Sequence, residues 1–139
     1  MKKSELNLNL LNNSLDTLKE CYMDYVAEND EKMKRYIKDS CIQRFEYTYE
    51  VAKKIMSKFL KKEYDMHEKD LTINNIYREM YGLGMISTFE NWADYREKRN
   101  TTSHEYNDLW TYPILEIVPR FIEDVDFLIT ALDGVLTDD

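Results

Sequence analysis

A polar segment near residue 100 combines the side chains that phosphodiester chemistry needs. Arg99 carries a planar, permanently charged guanidinium that can hold two phosphate oxygens. His104 can take up and release a proton near neutral pH. Asn100 and Ser103 add neutral hydrogen bonds, and Tyr106 adds a phenol. These residue types suit cleavage of RNA through its 2′-hydroxyl, which needs a base, an acid and charge stabilisation but no metal.

Helical spacing would bring these side chains to one side of the chain. Asn100 and His104 are four residues apart and therefore share a face of a helix that turns by about 100° per residue. Arg99 and Tyr106 are seven apart and nearly eclipse each other. Together with Ser103 they span an arc of about 160°, whose only apolar group is the Tyr ring. A face that packs in a core would be apolar, so this arc is predicted to form a functional site.

A purely structural role for the same residues stays open on this reasoning. Arg99 could pair with Glu90, Asp94 or another carboxylate. His104 could cap the end of a helix. The spacing of an Arg and a His alone does not distinguish these roles from catalysis.

The segment needs further groups to complete a nuclease site. It contains one histidine, His104, whereas the reaction requires both an acid and a base. A two-fold homodimer that pairs the segment with its copy would supply the second histidine. Arg96 would add a positive charge for positioning the substrate. Glu46 and Glu50 either face the segment across the fold or form ordinary surface ion pairs.

The charge of the chain limits how nucleic acid could bind. The sequence has 19 basic and 27 acidic residues, which gives a net charge of −8. Broad electrostatic binding of nucleic acid requires a basic surface, so binding here would depend on a local patch. We expect that patch to comprise Arg96, Lys98 and Arg99, with an extension by Lys53, Lys54 and Lys58.

The 139 residues have the composition of a folded helical domain. Hydrophobic residues make up 43% and charged residues 33%, which argues against disorder. Only 3 Gly and 2 Pro are present, too few for the turns of an all-β fold. No apolar run is long enough to span a membrane, and the N-terminal sequence has no signal-peptide pattern. Cys21 and Cys41 have no CxxC partner and are predicted to be buried free thiols of a cytoplasmic protein.

Apolar residues at spacings of three and four predict five helices. The helices cover about residues 5–27, 31–62, 72–81, from 87 towards 99, and from either 105 or 112 to 133. Ser87 and Glu90 have the spacing of a capping box, and Pro113 suits the first turn of the last helix. The pattern predicts an all-α fold, an antiparallel four-helix bundle with the third helix as an additional short piece. A single domain, 1–139, would end in a frayed acidic tail at about 135–139.

The polar segment resembles a known family. Residues 99–107, Arg-Asn-Thr-Thr-Ser-His-Glu-Tyr-Asn, resemble the RN-x-TSH-x-Y segment of nucleotidyltransferase substrate-binding proteins. The same residues are similar to the R-x4-H-x-Y motif of HepT-type HEPN proteins. Residues 45–50, Phe-Glu-Tyr-Thr-Tyr-Glu, and Trp92 also resemble the family pattern, so the similarity covers about residues 10–130.

The resemblance implies a fold, a partner and a reaction. The fold is a helical bundle that forms a homodimer near the motif, and the partner is a minimal nucleotidyltransferase encoded beside it, as in toxin–antitoxin pairs. HepT-type members are metal-independent ribonucleases without a cofactor. By position, Arg99 and His104 would be the catalytic residues, and Tyr106 would receive AMP from the partner. The alternative is a non-catalytic subunit that binds the substrate or nucleotide of the nucleotidyltransferase.

Overall fold

Five α-helices make up the described part of the protein. The computed structural model describes the backbone of residues 1–102 and 108–139. It describes the side chains of residues 1–101 and 111–139. The helices are α1 (Leu8–Ala27), α2 (Glu31–Glu63), α3 (Ile73–Gly82), α4 (Phe89–Thr102) and α5 (Asp108–Val135). The predicted all-α fold is confirmed: α1, α2, α4 and α5 form an antiparallel four-helix bundle, and the short α3 packs against α2 and α4. No helix in the described ranges combines the length and apolarity that a membrane crossing requires.

Side-chain caps set the beginnings of the first three helices close to their predicted positions. The Asn7 side chain accepts a hydrogen bond from the backbone N–H of Leu10 at the start of α1. At the start of α2, the Asp30 carboxylate accepts from two backbone N–H groups, at 2.9 and 3.0 Å. At the start of α3, the Thr72 hydroxyl accepts a hydrogen bond from the backbone N–H of Asn75. Because these oxygens satisfy N–H groups that lack an intrahelical acceptor, each helix begins where a polar residue precedes an apolar stripe.

The predicted capping box of α4 and the predicted place of Pro113 are wrong. The Thr88 hydroxyl, not that of Ser87, accepts from the backbone N–H of Asn91 at 3.1 Å, so α4 begins at Phe89 without the predicted capping box. Ser87 instead donates to a carboxylate of α5. Residues 108–112 are already helical, so Pro113 lies inside α5 rather than in its first turn. The capping box does not form because a distant carboxylate, outside the local sequence, uses the Ser87 hydroxyl.

An aromatic cluster at the centre of the core joins three of the bundle helices. Phe121 of α5 lies with its ring centroid 4.8 Å from that of Phe45 of α2. It also lies 4.9 Å from Tyr95 and 5.9 Å from Trp92, both on α4. All four side chains are buried. Since such edge-to-face ring contacts add to the free energy of burial, they fix the side of α4 that faces the core and the side that faces away.

Two free cysteines lie between α1 and α2. Cys41 is buried and Cys21 is half-buried, in line with the predicted free thiols. The Cys41 thiol donates to the Cys21 sulfur, with 3.1 Å between the two Sγ atoms. Burial raises the pKa of the Cys41 thiol far above its ordinary value. Both groups therefore act as small packing residues in this part of the helix pair.

The C-terminal residues are not the frayed tail that their acidic composition predicts. Leu136 is only 7% exposed and packs in the core. The backbone N–H of Thr137 donates to the carbonyl of Met1 at 3.0 Å, and the N–H of Lys3 donates to the carbonyl of Thr137 at 2.9 Å. The Asp139 carboxylate accepts from the N–H of Ser4. Burial of one leucine and pairing with the N-terminal residues together order the tail.

We expect Leu136→Ala to lower the free energy of unfolding by about 2 kcal/mol, because the truncation leaves a cavity where the chain ends meet. Val135→Ala is the matched control, since Val135 is exposed and its loss should change stability by less than about 0.5 kcal/mol. Urea unfolding followed by circular dichroism measures both. Equal stability of the two variants would contradict the ordered tail.

Candidate functional site

Helix α4 positions the described residues of the predicted site. Its buried residues Trp92 and Tyr95 face the core. Arg96, one position after Tyr95, and Asn100, about one turn further, therefore lie on the side that faces away from the core. Arg96 and Asn100 are exposed, whereas Arg99 is half-buried, with 25% of its side chain accessible. The structure therefore separates the predicted set into an outward-facing pair and a more enclosed arginine.

The Arg99 guanidinium lies between two carboxylates of α2. Its Nη1 is 3.6 Å from Oε2 of Glu46, and its Nε is 3.4 Å from Oε1 of Glu50. Glu46 and Glu50 are one helical turn apart and so present both carboxylates to the same side. Both interpretations of these glutamates hold: they face Arg99 across the bundle, and they form ion pairs, Glu50 also with Lys53 at 3.1 Å. The predicted alternative partner Asp94 pairs with other cations.

Arg96 and Asn100 line an open groove on the outer side of α4. The groove is formed by one face of the helix, with Ala93, Glu97 and Thr101 as its other walls. The four-residue spacing of Arg96 and Asn100 places one above the other. A negatively charged or hydrogen-bonding ligand could contact both side chains from solvent.

The predicted site residues Ser103, His104 and Tyr106 lie outside the described residues. They belong to residues 103–107, which follow α4 and precede α5 in the chain. In the chain they directly follow the helix that carries Arg99.

A buried carboxylate on α5 fixes α4 in place. Asp124 is 8% exposed and accepts hydrogen bonds from the Ser87 hydroxyl and the Asn91 amide, each at 3.0 Å. It also accepts a hydrogen bond from the Tyr95 hydroxyl. The donors come from the start and the middle of α4, so one side chain sets both the position and the rotation of the helix. Sequence analysis missed Asp124, although a carboxylate next to the apolar position Val125 in the α5 stripe could have indicated it.

A second set of polar contacts continues this network towards the surface. Arg120 of α5 donates through Nε to the Tyr95 hydroxyl at 3.2 Å and through Nη2 to the Asp94 carboxylate. Lys98 pairs with the same carboxylate at 2.9 Å. Burial opposes ionisation of Asp94, but the hydrogen bonds from Lys98 and Arg120 outweigh it and lower the pKa of Asp94. Asp94 is shared by Lys98 and Arg120, whereas Arg99 lies against two carboxylates, so the cations of the predicted basic patch are compensated to different degrees.

A pair of buried tyrosines lies beneath the carboxylates that contact Arg99. The hydroxyl oxygens of Tyr49 on α2 and Tyr77 on α3 are 2.5 Å apart. Burial raises the pKa of both phenols, so both stay protonated at neutral pH. The pair joins α3 to α2 one residue before Glu50. The additional short helix thereby supports the part of α2 that faces Arg99.

The sequence matches one family model over nearly its whole length. The model describes proteins that are "nucleotidyltransferase substrate binding protein like", and it matches residues 6–134. The chain belongs to this family. The resemblance noted for residues 99–107 is thereby confirmed at the level of the family.

Known relatives of this family member agree in sequence and in fold. A Haemophilus influenzae protein named probable ribonuclease HepT is 27% identical over 140 residues, which is 95% of each chain. A solved H. influenzae structure, described as the fold of a substrate binding domain of a nucleotidyltransferase, superposes with a TM-score of 0.83 at 24% identity. It covers 91% of this chain and 99% of its own. A crystal structure from Thermus thermophilus gives a TM-score of 0.73 at 21% identity, over 88% of this chain and 98% of its own. Both solved structures support the fold.

We expect Asp124→Asn to destabilise this family member by about 1 to 3 kcal/mol, because an amide cannot accept all of the hydrogen bonds from Ser87, Asn91 and Tyr95. Asp126→Asn is the control: Asp126 is exposed and pairs only with Lys19 at the surface, a contact worth less than about 1 kcal/mol. Urea unfolding at neutral pH compares the two. An equal loss for both variants would show that Asp124 does not hold α4.

Proposed function

We propose that this protein is a metal-independent endoribonuclease of the HEPN toxin type, controlled by a cognate minimal nucleotidyltransferase. The observation that carries the proposal is the placement of Arg99, which lies between two carboxylates of α2 and five residues before His104 in the chain. The family and the relative named probable ribonuclease HepT support it. The two free thiols fit a cytoplasmic setting.

In the proposed reaction, the 2′-hydroxyl of the RNA loses its proton to a histidine and attacks the adjacent phosphorus. The bond from phosphorus to the 5′-oxygen breaks, and that oxygen receives a proton. His104 of one protomer would act as base and that of a second protomer as acid, so the active form would be a homodimer. Arg99 would bind the charge that develops on the phosphate. Asn100, Ser103 and Arg96 would position the strand.

The contacts of Arg99 with α2 suit this role. Charge-assisted hydrogen bonds between nitrogen and oxygen are usually about 2.7–2.9 Å long. The distances from Arg99 to Glu46 and Glu50, 3.6 and 3.4 Å, are longer. The two carboxylates therefore orient the guanidinium from the α2 side. A phosphate would have to approach the guanidinium from the side away from Glu46 and Glu50.

Control by the partner would act on the same arginine. The nucleotidyltransferase would join the Tyr106 oxygen to the α-phosphorus of ATP, with release of pyrophosphate and of the phenol proton. The added AMP phosphate is negative and seven residues from Arg99 in the chain, so it would compete with RNA for the guanidinium. The adenosine would occupy space that the substrate needs.

A second candidate function is a non-catalytic subunit that binds the substrate or nucleotide of a nucleotidyltransferase. The net charge of −8 favours it, because a single nucleotide needs less basic surface than an RNA strand. The open groove with Arg96 and Asn100 could hold such a ligand.

We expect His104→Ala to reduce RNA cleavage by at least about 100-fold, because general acid–base catalysis is lost. Arg99→Ala should reduce it as well, and EDTA should have no effect. His67→Ala is the matched control, since His67 is the other histidine of the chain and precedes a short 3-10 helix away from α4. Gel analysis of RNA products measures all variants. Cleavage by His104→Ala at the wild-type rate would replace the ribonuclease proposal with the binding-subunit alternative.

We expect incubation with the cognate nucleotidyltransferase and ATP to add one AMP to Tyr106 and to abolish cleavage without unfolding the bundle. Tyr106→Phe should keep most of the cleavage activity and should neither gain AMP nor respond to the partner. Tyr112→Phe, at an exposed tyrosine of α5, should behave like the wild type. Mass spectrometry of the peptide around residue 106 gives the site of transfer. AMP on another residue would refute only the role of Tyr106.

A further inference from the structure

A groove on the outer side of α2 combines an apolar floor with lysines. It runs from the beginning of α1 along α2 and is lined by Leu10, Tyr47, Val51, Lys54, Ile55 and Lys58. Tyr47 is 53% exposed and Leu10 is 39% exposed, whereas Val51 and Ile55 are nearly buried beneath them. The groove therefore offers an aromatic ring and apolar surface together with positive charge.

The spacing of the groove residues aligns them along α2. Tyr47, Val51, Lys54 and Lys58 follow one another at intervals of four, three and four, which places them on one face. The rise of an α-helix puts Tyr47 and Lys58 about 16 Å apart along the axis. This length suits an extended chain of a few repeating units better than a single compact ligand.

Lys54 and Lys58 differ from most lysines near them in lacking a carboxylate partner. Lys53 pairs with Glu50 and Lys61 pairs with Glu68. Over the described residues, neither Lys54 nor Lys58 forms an ion pair, and both are exposed. Like charges one helical turn apart repel each other, which destabilises the helix slightly until an anion binds. In a chain with 27 acidic residues, such a pair favours a polyanion as the occupant.

The groove is continuous with the candidate active site. Glu50 lines the end of the groove near Tyr47, and its carboxylate also contacts Arg99 at 3.4 Å. A strand that lies in the groove would thus pass close to the guanidinium. Exposed aromatic rings beside basic side chains are the usual means of binding single-stranded nucleic acid, because a base stacks on the ring while the cations bind phosphates.

We propose that this groove binds single-stranded RNA, with a base stacked on Tyr47 and phosphates at Lys54 and Lys58, so that an adjacent phosphodiester reaches Arg99. The inference rests on the proposed ribonuclease function and extends it to the path of the substrate. The nucleic acid is single-stranded, because only an unpaired base can stack on the ring of Tyr47.

Binding of a fluorescein-labelled oligouridylate of about twelve nucleotides to full-length His104→Ala protein tests the path. In fluorescence anisotropy, adding Lys54→Ala and Lys58→Ala should weaken binding at least about tenfold. The slope of log affinity against log salt should fall by about 1.4, the loss of two phosphate contacts. Lys54→Arg with Lys58→Arg should restore both values. The control pair Lys32→Ala and Lys69→Ala removes the same charge from exposed positions outside the groove and should change affinity less than twofold.

Tyr47 is tested in the same assay. Tyr47→Ala should weaken binding about tenfold, and Tyr47→Phe should retain it, because stacking needs the ring and not the hydroxyl. Circular dichroism checks that every variant keeps its helices. Lysine and tyrosine variants that bind oligouridylate as well as the parent protein would overturn the RNA path. So would variants that keep RNA affinity but lose the cognate nucleotidyltransferase, since the groove would then be a protein interface.

Failure of the path and failure of the proposed function give different results. If the groove variants in an otherwise wild-type chain cut RNA normally while His104→Ala does not, the path is wrong and the ribonuclease proposal stands. If His104→Ala cuts RNA like the wild type but the groove variants lose oligouridylate, the groove binds RNA and the catalytic proposal is wrong.

Discussion

The carboxylate of Asp124 lies on the core side of α5, and the geometry of the candidate site depends on the hydrogen bonds it accepts. A buried carboxylate is costly unless donors compensate it, and its donors are Ser87 just before α4 and Asn91 and Tyr95 within it. When all three hydrogen bonds to Asp124 form, α4 is fixed in one orientation about its own axis. That rotation turns Arg99 towards Glu46 of α2 and leaves the opposite side of α4 open.

An acidic protein that binds an anion must keep a few cations available while neutralising the rest. Lys98 and Arg120 share the Asp94 carboxylate, which ties two positive charges to the scaffold between α4 and α5. Arg99 lies between two glutamates of α2, which orient its guanidinium. Lys53 is paired with Glu50, whereas the groove lysines Lys54 and Lys58 form no ion pair among the described residues. Ion pairs thus neutralise some cations and leave others exposed, a distribution of charge that the net charge of −8 does not show.

Properties that depend on local sequence were predicted well. The periodicity of apolar residues gave the helices and the all-α bundle, and Thr72 was correctly predicted as the cap of α3. Errors arose where distant residues decide. Ser87 has the local spacing of a cap, but its hydroxyl is used by Asp124, 37 residues away. The acidic composition of the last residues predicted a frayed tail, whereas Leu136 is buried.

The candidate site shows the same division. The sequence alone shows the types and spacing of Arg96, Arg99 and Asn100. The structure adds which of them are exposed and which is half-buried. The pairing of Arg99 with α2 could be raised only as one of two alternatives, because the two segments are about fifty residues apart in the chain and their approach depends on packing. His104 and Tyr106, outside the described residues, remain predictions from the motif.

The two ends of the chain meet in backbone hydrogen bonds between Met1, Lys3 and Thr137, so the path of the polypeptide is nearly a closed ring. The ends at Met1 and Asp139 are therefore one choice among several places where the ring could be open. A short linker across the termini would allow circular permutation, with new ends in the exposed turn at Asn29 and Asp30 between α1 and α2. Such a rearranged chain would keep α4 and α5 adjacent and would move the points of terminal fusion to the turn between α1 and α2.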